Sequence, residues 1–447
     1  MEKAPHTRQS DTSNMTSKST PEKPVSQSEI PAGEQLEIVT RQQWKWSALA
    51  GMASYLDAGS IVALGAGLAL FQAYLGLTAA AVGALAAIGP NALGCAIGSV
   101  IGGRLGDKLG RKRIYQYDLL VYAAGILCIA LAVNVGMLFA GTFVVGVAVG
   151  ADVPTSLALV GEIAPAKARG KLLGLTQVAW SIGPVIVLLM AAALAPFELL
   201  GIRIVFLHLF VAAIVTWALR QGLAESVRWK TASQTGRTLV RKLFSGANLW
   251  ALLWTGSIYL FWGLAAGTSG IFYPYIIKTL NAGDQAASVA VTSLGFLASI
   301  LFTTTIFMRF SDRDHATRKR LWAIGAVAQT AAFGLFLVLP FSIPVIIANI
   351  VLFALGGALA GEAFYKVFSQ ELFPTLLRGT AQGLTFGVAR TMLGIWSFFV
   401  PMLADAGFRP VAALLMLFLA ISGGIGFWFM PDTSGKTLEQ IEAERGS

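Results

Sequence analysis

The sequence predicts an all-α membrane protein with twelve transmembrane helices arranged as two six-helix halves. Three observations lead there. Hydrophobic residues make up 55% of the 447-residue chain and charged residues only 13%, against about 25% charged in an ordinary soluble domain. The apolar residues come in runs of about 20 or more, the length a helix needs to cross the hydrocarbon core of a bilayer. Finally, one pattern occurs twice. Glu162-Ile-Ala-Pro165-Ala-Lys-Ala-Arg169-Gly170 returns as Glu371-Leu-Phe-Pro374-Thr-Leu-Leu-Arg378-Gly379, both reading E-x-x-P-x-x-x-R-G. A parallel repeat of this kind implies two halves that rock about a site near the middle of the membrane.

In chain order, residues 1–42 are rich in Ser, Thr, Pro, Glu and Lys and lack an apolar core. They read as a disordered cytoplasmic tail and not as a signal peptide. Trp44-Lys45-Trp46 is placed to anchor the first helix at the interface. The first half, 43–220, holds spans at 46–70, 79–102, 114–133, 137–160, 172–195 and 201–220. A polar, cationic linker follows at 221–248. The second half, 249–430, holds spans at 249–276, 286–308, 319–339, 343–367, 380–404 and 409–430, and 431–447 form a cytoplasmic tail. Gly94, Gly98 and Gly102 on the second span, and Gly146 and Gly150 on the fourth, recur every four residues. That spacing lets helix backbones approach closely.

The loops set the orientation. Those after even-numbered spans carry Arg104, Lys108, Arg111, Lys112 and Arg113, then Lys167, Arg169 and Lys171, then Arg228, Lys230, Arg237, Arg241 and Lys242. Arg313, Arg318, Lys319, Arg320 and Arg378 continue the series, whereas odd loops offer only Arg203, Lys278 and Arg409. Cationic loops stay in the cytoplasm, so both termini are expected there. The net charge of +10 therefore records membrane orientation and not nucleic-acid binding. Cys95 and Cys128 lie in apolar runs, and His6, His208 and His315 are far apart in sequence. No disulfide framework, metal site, nucleophile–base constellation or phosphate loop is indicated, so neither an enzyme, a cofactor protein nor an ATP-driven pump is expected.

Gly102-Gly-Arg-Leu-Gly-Asp107-Lys-Leu-Gly-Arg111-Lys-Arg113 is a short basic turn between the second and third spans. It resembles the loop signature of the major facilitator superfamily. A degraded echo stands at Arg309-Phe-Ser-Asp312-Arg313 and Arg318-Lys319-Arg320. Ala224-Glu225-Ser226-Val227-Arg228-Trp229 after the sixth span and Pro431-Asp432-Thr433-Ser434-Gly435-Lys436-Thr437-Leu438-Glu439 after the twelfth are similar to motifs of the sugar porters in that superfamily. The resemblance implies the major facilitator fold and a bacterial metabolite:proton symporter of the inner membrane, working as a monomer. It also implies that Asp107, Arg111, Glu162, Arg169, Glu225, Arg228, Asp312, Glu371 and Arg378 form ion pairs that break and reform as the protein changes face. The alternative is a static surface network, in which exposed pairs contribute only ~0–1 kcal/mol each.

Ionisable side chains inside a span are costly and mark function by default. Asp57, in the middle of the first span, matches the proton-coupling Asp of proton-linked sugar porters; the other reading is a structural, hydrogen-bonded Asp. The family's arginine partner on the fourth span is replaced by Thr142. Gln177 matches a sugar-binding Gln, while the family's tryptophans on the tenth and eleventh spans fall on Lys366 and Arg390. Its seventh-span Gln-Gln-x-x-x-x-Asn is absent, and Trp262, Gly263 and Thr268 stand roughly there. The polar set open to a central cavity is thus Asp57, Asp152, Gln177, Glu362, Lys366 and Arg390, with Trp262 and Thr268 beside it. Glu362 and Lys366 are spaced to pair with each other. Arg390 either pairs with Asp57 or Asp152 or receives a substrate carboxylate. His208 and Asn91 read as helix-packing groups.

The leading expectation is proton symport of a small hydroxylated solute: a sugar, polyol or cyclitol. An organic or sugar acid bound by Arg390 and Lys366 is the alternative within the fold, and a non-transporting nutrient sensor the alternative from another class.

Overall fold

Thr40 opens the first helix with a capping box. Its hydroxyl accepts the Gln43 amide at 3.2 Å, and the Gln43 side chain accepts the Thr40 amide at 2.9 Å, satisfying two amides that no helical carbonyl reaches. A computed structural model of the chain describes residues 39–446 except 91, 236–238, 280–284, 341, 406 and 407. For 79, 235, 270–279, 285–291, 398, 401, 402, 404, 405 and 446 it describes the backbone alone. Expectations for residues 1–38, Asn91, Arg237 and the Lys278 side chain lie outside the described residues.

Every regular element among the described residues is helical. The first half comprises α1 (Arg41–Leu75), α2 (Ala79–Ile88), α3 (Leu93–Leu109), α4 (Arg111–Ala130), α5 (Val135–Ile163), α6 (Arg169–Ala193) and α7 (Glu198–Arg220). After α8 (Val227–Thr235) come α9 (Gly246–Thr279), α10 (Gln285–Phe302), α11 (Met308–Phe310), α12 (His315–Val338) and α13 (Ile343–Ala360). The chain ends with α14 (Glu362–Glu371), α15 (Arg378–Asp405), α16 (Phe408–Trp428) and α17 (Leu438–Gly446), the last within the stretch expected to be a tail.

Ten of these segments are long and apolar enough to cross a membrane, and α4 and α15 complete the twelve. Two spans are broken. The second is split into α2 and α3 beside Pro90, which has no amide hydrogen to continue the ladder. The tenth is split at Gly361 into α13 and α14, and there the break lies against the indole of Trp262. A π-turn over Thr303–Phe307 joins α10 to α11.

The halves meet along two equivalent seams, α3 against α15 and α6 against α10. Glycine makes the α3 seams possible. A Cβ at Gly98 would lie 2.1 Å from the Val147 carbonyl oxygen of α5, and one at Gly103 would lie 2.2 Å from that of Gly379 at α15. Gly98→Ala is therefore expected to destabilise the protein by about 1–3 kcal/mol, the usual cost of overpacking. Gly222→Ala, where an added Cβ meets nothing within 4 Å, should change stability by no more than about 0.5 kcal/mol. Thermal melts in detergent compare the two; equal melting temperatures would contradict the packing described.

Candidate functional site

At the basic end of the bundle, helix termini and carboxylates interlock twice in the same way. Asp107, in the last turn of α3, accepts the amides of Gly379 at 3.1 Å and Thr380 at 2.6 Å, and the Thr380 hydroxyl at 2.5 Å. Those amides open α15 and have no carbonyl of their own helix to bind, so a carboxylate suits them. In the second half Asp312 does the same to α6, accepting Gly170 at 2.6 Å and Lys171 at 2.7 Å. Burial holds the Asp312 carboxyl above its ordinary range, partly offset by Arg318 and these two amides.

The repeated glutamates are shared in the same symmetric fashion. Glu162 takes Arg111 of its own half at 2.8 Å and Arg378 of the other at 3.2 Å. Glu371 takes Arg318 of its own half and Arg169 of the other, each at 2.9 Å. Arg111 also bonds Asp107 at 2.9 Å and reaches across to the Thr375 carbonyl at 2.6 Å. The alternative of an exposed surface network does not describe these pairs, whose side chains are no more than 1% exposed. Breaking one such buried pair costs about 3–5 kcal/mol, far above the value of a surface pair.

Two of the expected partners stand elsewhere. Among the described residues Glu225 makes no pairing across the halves; its carboxylate accepts the amides of Arg111 at 3.1 Å and Lys112 at 3.0 Å and so caps α4. Arg228 joins the C-terminal α17 through Glu439 at 2.8 Å and holds the Glu162 carbonyl at 2.5 Å. Arg318, read in the sequence as a loop cation and part of an echo, takes the place in the second half that Arg111 has in the first.

A separate polar layer lies further along the helices. Arg390 of α15 stands 3.6 Å from Asp57 of α1, so it supplies a cation to the acid whose expected partner position holds Thr142. Trp180 of α6 donates its indole N–H to the same Asp57 oxygen at 3.3 Å, and Oδ1 of Asp57 is buried without a hydrogen-bond partner among the described residues. Lys366 of α14 donates to Gln177 of α6 at 2.7 Å and lies 3.6 Å from Glu362. Aromatic rings of α9, α14 and α15 floor the layer. Tyr259 stacks on Tyr365 at 4.0 Å and on Phe386 at 5.4 Å, and Arg390 sits 4.8 Å over Phe386. Trp262 stacks against Tyr259, and its own indole nitrogen has no partner among the described residues.

Asp152 does not belong to this layer. Arg220 at the end of α7 binds it at 2.9 Å, inside the first half, and the expectation that it faces substrate is corrected. Its charge is neutralised within its own bundle. Thr268 has its hydroxyl committed, donating to Leu264 at 2.5 Å and accepting Trp396 at 2.8 Å, so it fastens α9 to α15. His208 pairs with the Tyr55 hydroxyl at 2.7 Å, a packing contact.

Trp180, Tyr259, Tyr365, Asp118 and Arg220 were not among the residues the sequence singled out. Trp180 follows Gln177 by three positions and thus shares its helix face, and Asp118 is an acid within a span. Both signals were present. Nothing in the sequence, by contrast, marks the end-of-span Arg220 as a buried cation.

Residues 47–401 match the family model of the Major Facilitator Superfamily. The chain belongs to the Major Facilitator Superfamily. Its similarity to the minor myo-inositol transporter IolF of Bacillus subtilis (strain 168) is 39% identity over 408 residues, covering 88% of this chain and 92% of that one. The glucose transporter GlcP of Staphylococcus epidermidis is 25% identical over 376 residues, 75% of this chain and 82% of that one. Among solved structures, the superfamily member XylE, a proton:xylose symporter bound to 6-bromo-6-deoxy-D-glucose, matches with a TM-score of 0.79 at 18% identity. It covers 90% of this chain and 99% of its own, and shows the shared fold. Superfamily membership and these relatives place the chain among membrane transporters and not among enzymes.

Proposed function

We propose that this protein is a proton-coupled symporter of a small hydroxylated solute, with a cyclitol such as myo-inositol as first candidate. The observation that carries the reading is the Asp57–Arg390 pair, an acid of the first half facing a cation of the second at 3.6 Å with one carboxylate oxygen unsatisfied. A proton on Asp57 cancels its attraction for Arg390 and lets the two halves part. Losing that proton on the other side restores the pair. Gln177, Lys366 and Glu362 stand in the same layer and would present hydrogen-bonding groups to solute hydroxyls, with Trp262 as an apolar wall carrying one free N–H. Asp107, Arg111, Glu162, Arg169, Asp312, Arg318, Glu371 and Arg378 would then be the gate on the cytoplasmic side, with Glu225 and Arg228 securing it from the linker. The distribution of loop cations supports both termini in the cytoplasm, and the protein would work there as a monomer in the inner membrane.

Both buried cations already face acids of the protein, Arg390 with Asp57 and Lys366 with Glu362, which favours a neutral solute over an organic acid. In proteoliposomes with an imposed pH gradient, myo-inositol or a related neutral polyol is expected to accumulate and its carboxylated counterpart is not. Accumulation of the acid alone would transfer Arg390 and Lys366 to carboxylate binding and overturn the polyol reading.

A further inference from the structure

Within the first half a second set of ionisable side chains lies apart from the Asp57 layer. Asp118 of α4, Asp152 of α5 and Arg220 of α7 converge with side chains at most 5% exposed. Arg220 donates to Asp152 Oδ2 at 2.9 Å and stands 3.9 Å from Asp118 Oδ1. Its other nitrogens hold the Leu49 carbonyl of α1 at 3.3 and 3.0 Å, and its guanidinium lies 3.6 Å from the centre of the Tyr115 ring. Asp118 Oδ1 also accepts the Leu119 amide at 2.6 Å. The remaining two oxygens, Asp118 Oδ2 and Asp152 Oδ1, are buried with no hydrogen-bond partner among the described residues.

Charge balance decides how such a cluster is occupied. The titratable groups facing one another are Tyr115 and Asp118 from α4, Asp152 from α5 and Arg220 from α7, while α1 brings the Leu49 carbonyl to the cluster and Arg41 and Lys45 to the cavity beside it. Two carboxylates thus share one guanidinium. A second negative charge in an interior of low dielectric is left uncompensated, whereas one proton between the carboxyls removes it. We propose that Asp118 and Asp152 form a dyad that binds one proton under the clamp of Arg220, a second proton site distinct from Asp57. The proton comes from water. A cavity of about 340 Å³, lined by Arg41, Lys45, Trp46, Leu49 and Leu219, lies beside the cluster, and Leu49 both lines it and carries the carbonyl that Arg220 holds.

The site is independent of the transport reading, so its test is run on the purified full-length protein in an Asp57→Asn background. Infrared spectra at neutral pH are expected to show a protonated carboxyl band that Asp118→Asn removes, because the remaining Asp152 is then ionised against Arg220. Stability is expected to fall as alkaline pH strips the proton, and Asp118→Asn to flatten that limb. An unchanged band and an unchanged alkaline limb in Asp118→Asn would overturn the proposal. Should that variant fail to fold, Asp118→Glu keeps the acid and alters its carbonyl frequency. A shifted band then supports the dyad and an unmoved one overturns it.

Discussion

Asp57→Asn, reconstituted in proteoliposomes, is expected to lose pH-gradient-driven accumulation of solute and to reach only equal concentrations on both sides. Asparagine has nearly the same shape but neither releases a proton nor carries the charge that Arg390 faces at 3.6 Å. The same change removes the carboxylate charge that this buried guanidinium faces, and breaking a buried pair costs about 3–5 kcal/mol. Asp57→Asn/Arg390→Gln removes both charges and is expected to recover much of that stability while coupling stays lost. Recovery of accumulation in the double variant would deny Asp57 its role, and a double variant no more stable than the single one would deny the pair.

The second large effect is expected at the proposed gate. Glu371 compensates two buried guanidiniums at once, Arg318 and Arg169, each at 2.9 Å, and accepts the Thr433 hydroxyl at 2.5 Å. Glu371→Gln keeps the shape but removes the charge that draws Arg169 across from the first half. A loss of about 3–5 kcal/mol from one conformation shifts its equilibrium by more than about a hundredfold, since every 1.4 kcal/mol is a factor of ten. Spin labels at the exposed positions Lys167 and Arg313, which flank the Asp312–Gly170 contact, report it in a background lacking Cys95 and Cys128. The distance distribution is expected to move to longer separations in Glu371→Gln. An unaltered distribution would mean that the buried pairs hold each half together without governing which face is open.

The helical architecture was legible in the chain because apolar runs, loop cations and the E-x-x-P-x-x-x-R-G repeat are all local signals. Asp57 and Arg390 were also individually visible, as charges where charges are costly. Their proximity was not, because it depends on how α1 and α15 are registered across two halves far apart in sequence. The same limit explains Asp152. Sequence spacing marked it as an acid within a span, but only the packing of α4 against both α5 and α7 reveals that Arg220 and Asp118 claim it. Glu225 misled for a different reason. Its motif resembles one that carries ion pairs, yet its carboxylate is spent on the first two amides of α4, and a motif does not say which helix end it will cap. Trp180 was recoverable from helical periodicity alone.

The most direct test of the account is proton movement driven by solute. Myo-inositol is added outside proteoliposomes that hold a pH-sensitive dye and have no imposed gradient, with wild-type protein beside Asp57→Asn. Symport predicts that inward flow of solute acidifies the lumen of wild-type vesicles and leaves that of Asp57→Asn vesicles unchanged. Myo-inositol entry without acidification in the wild type, or equal acidification in both, would contradict coupling through Asp57.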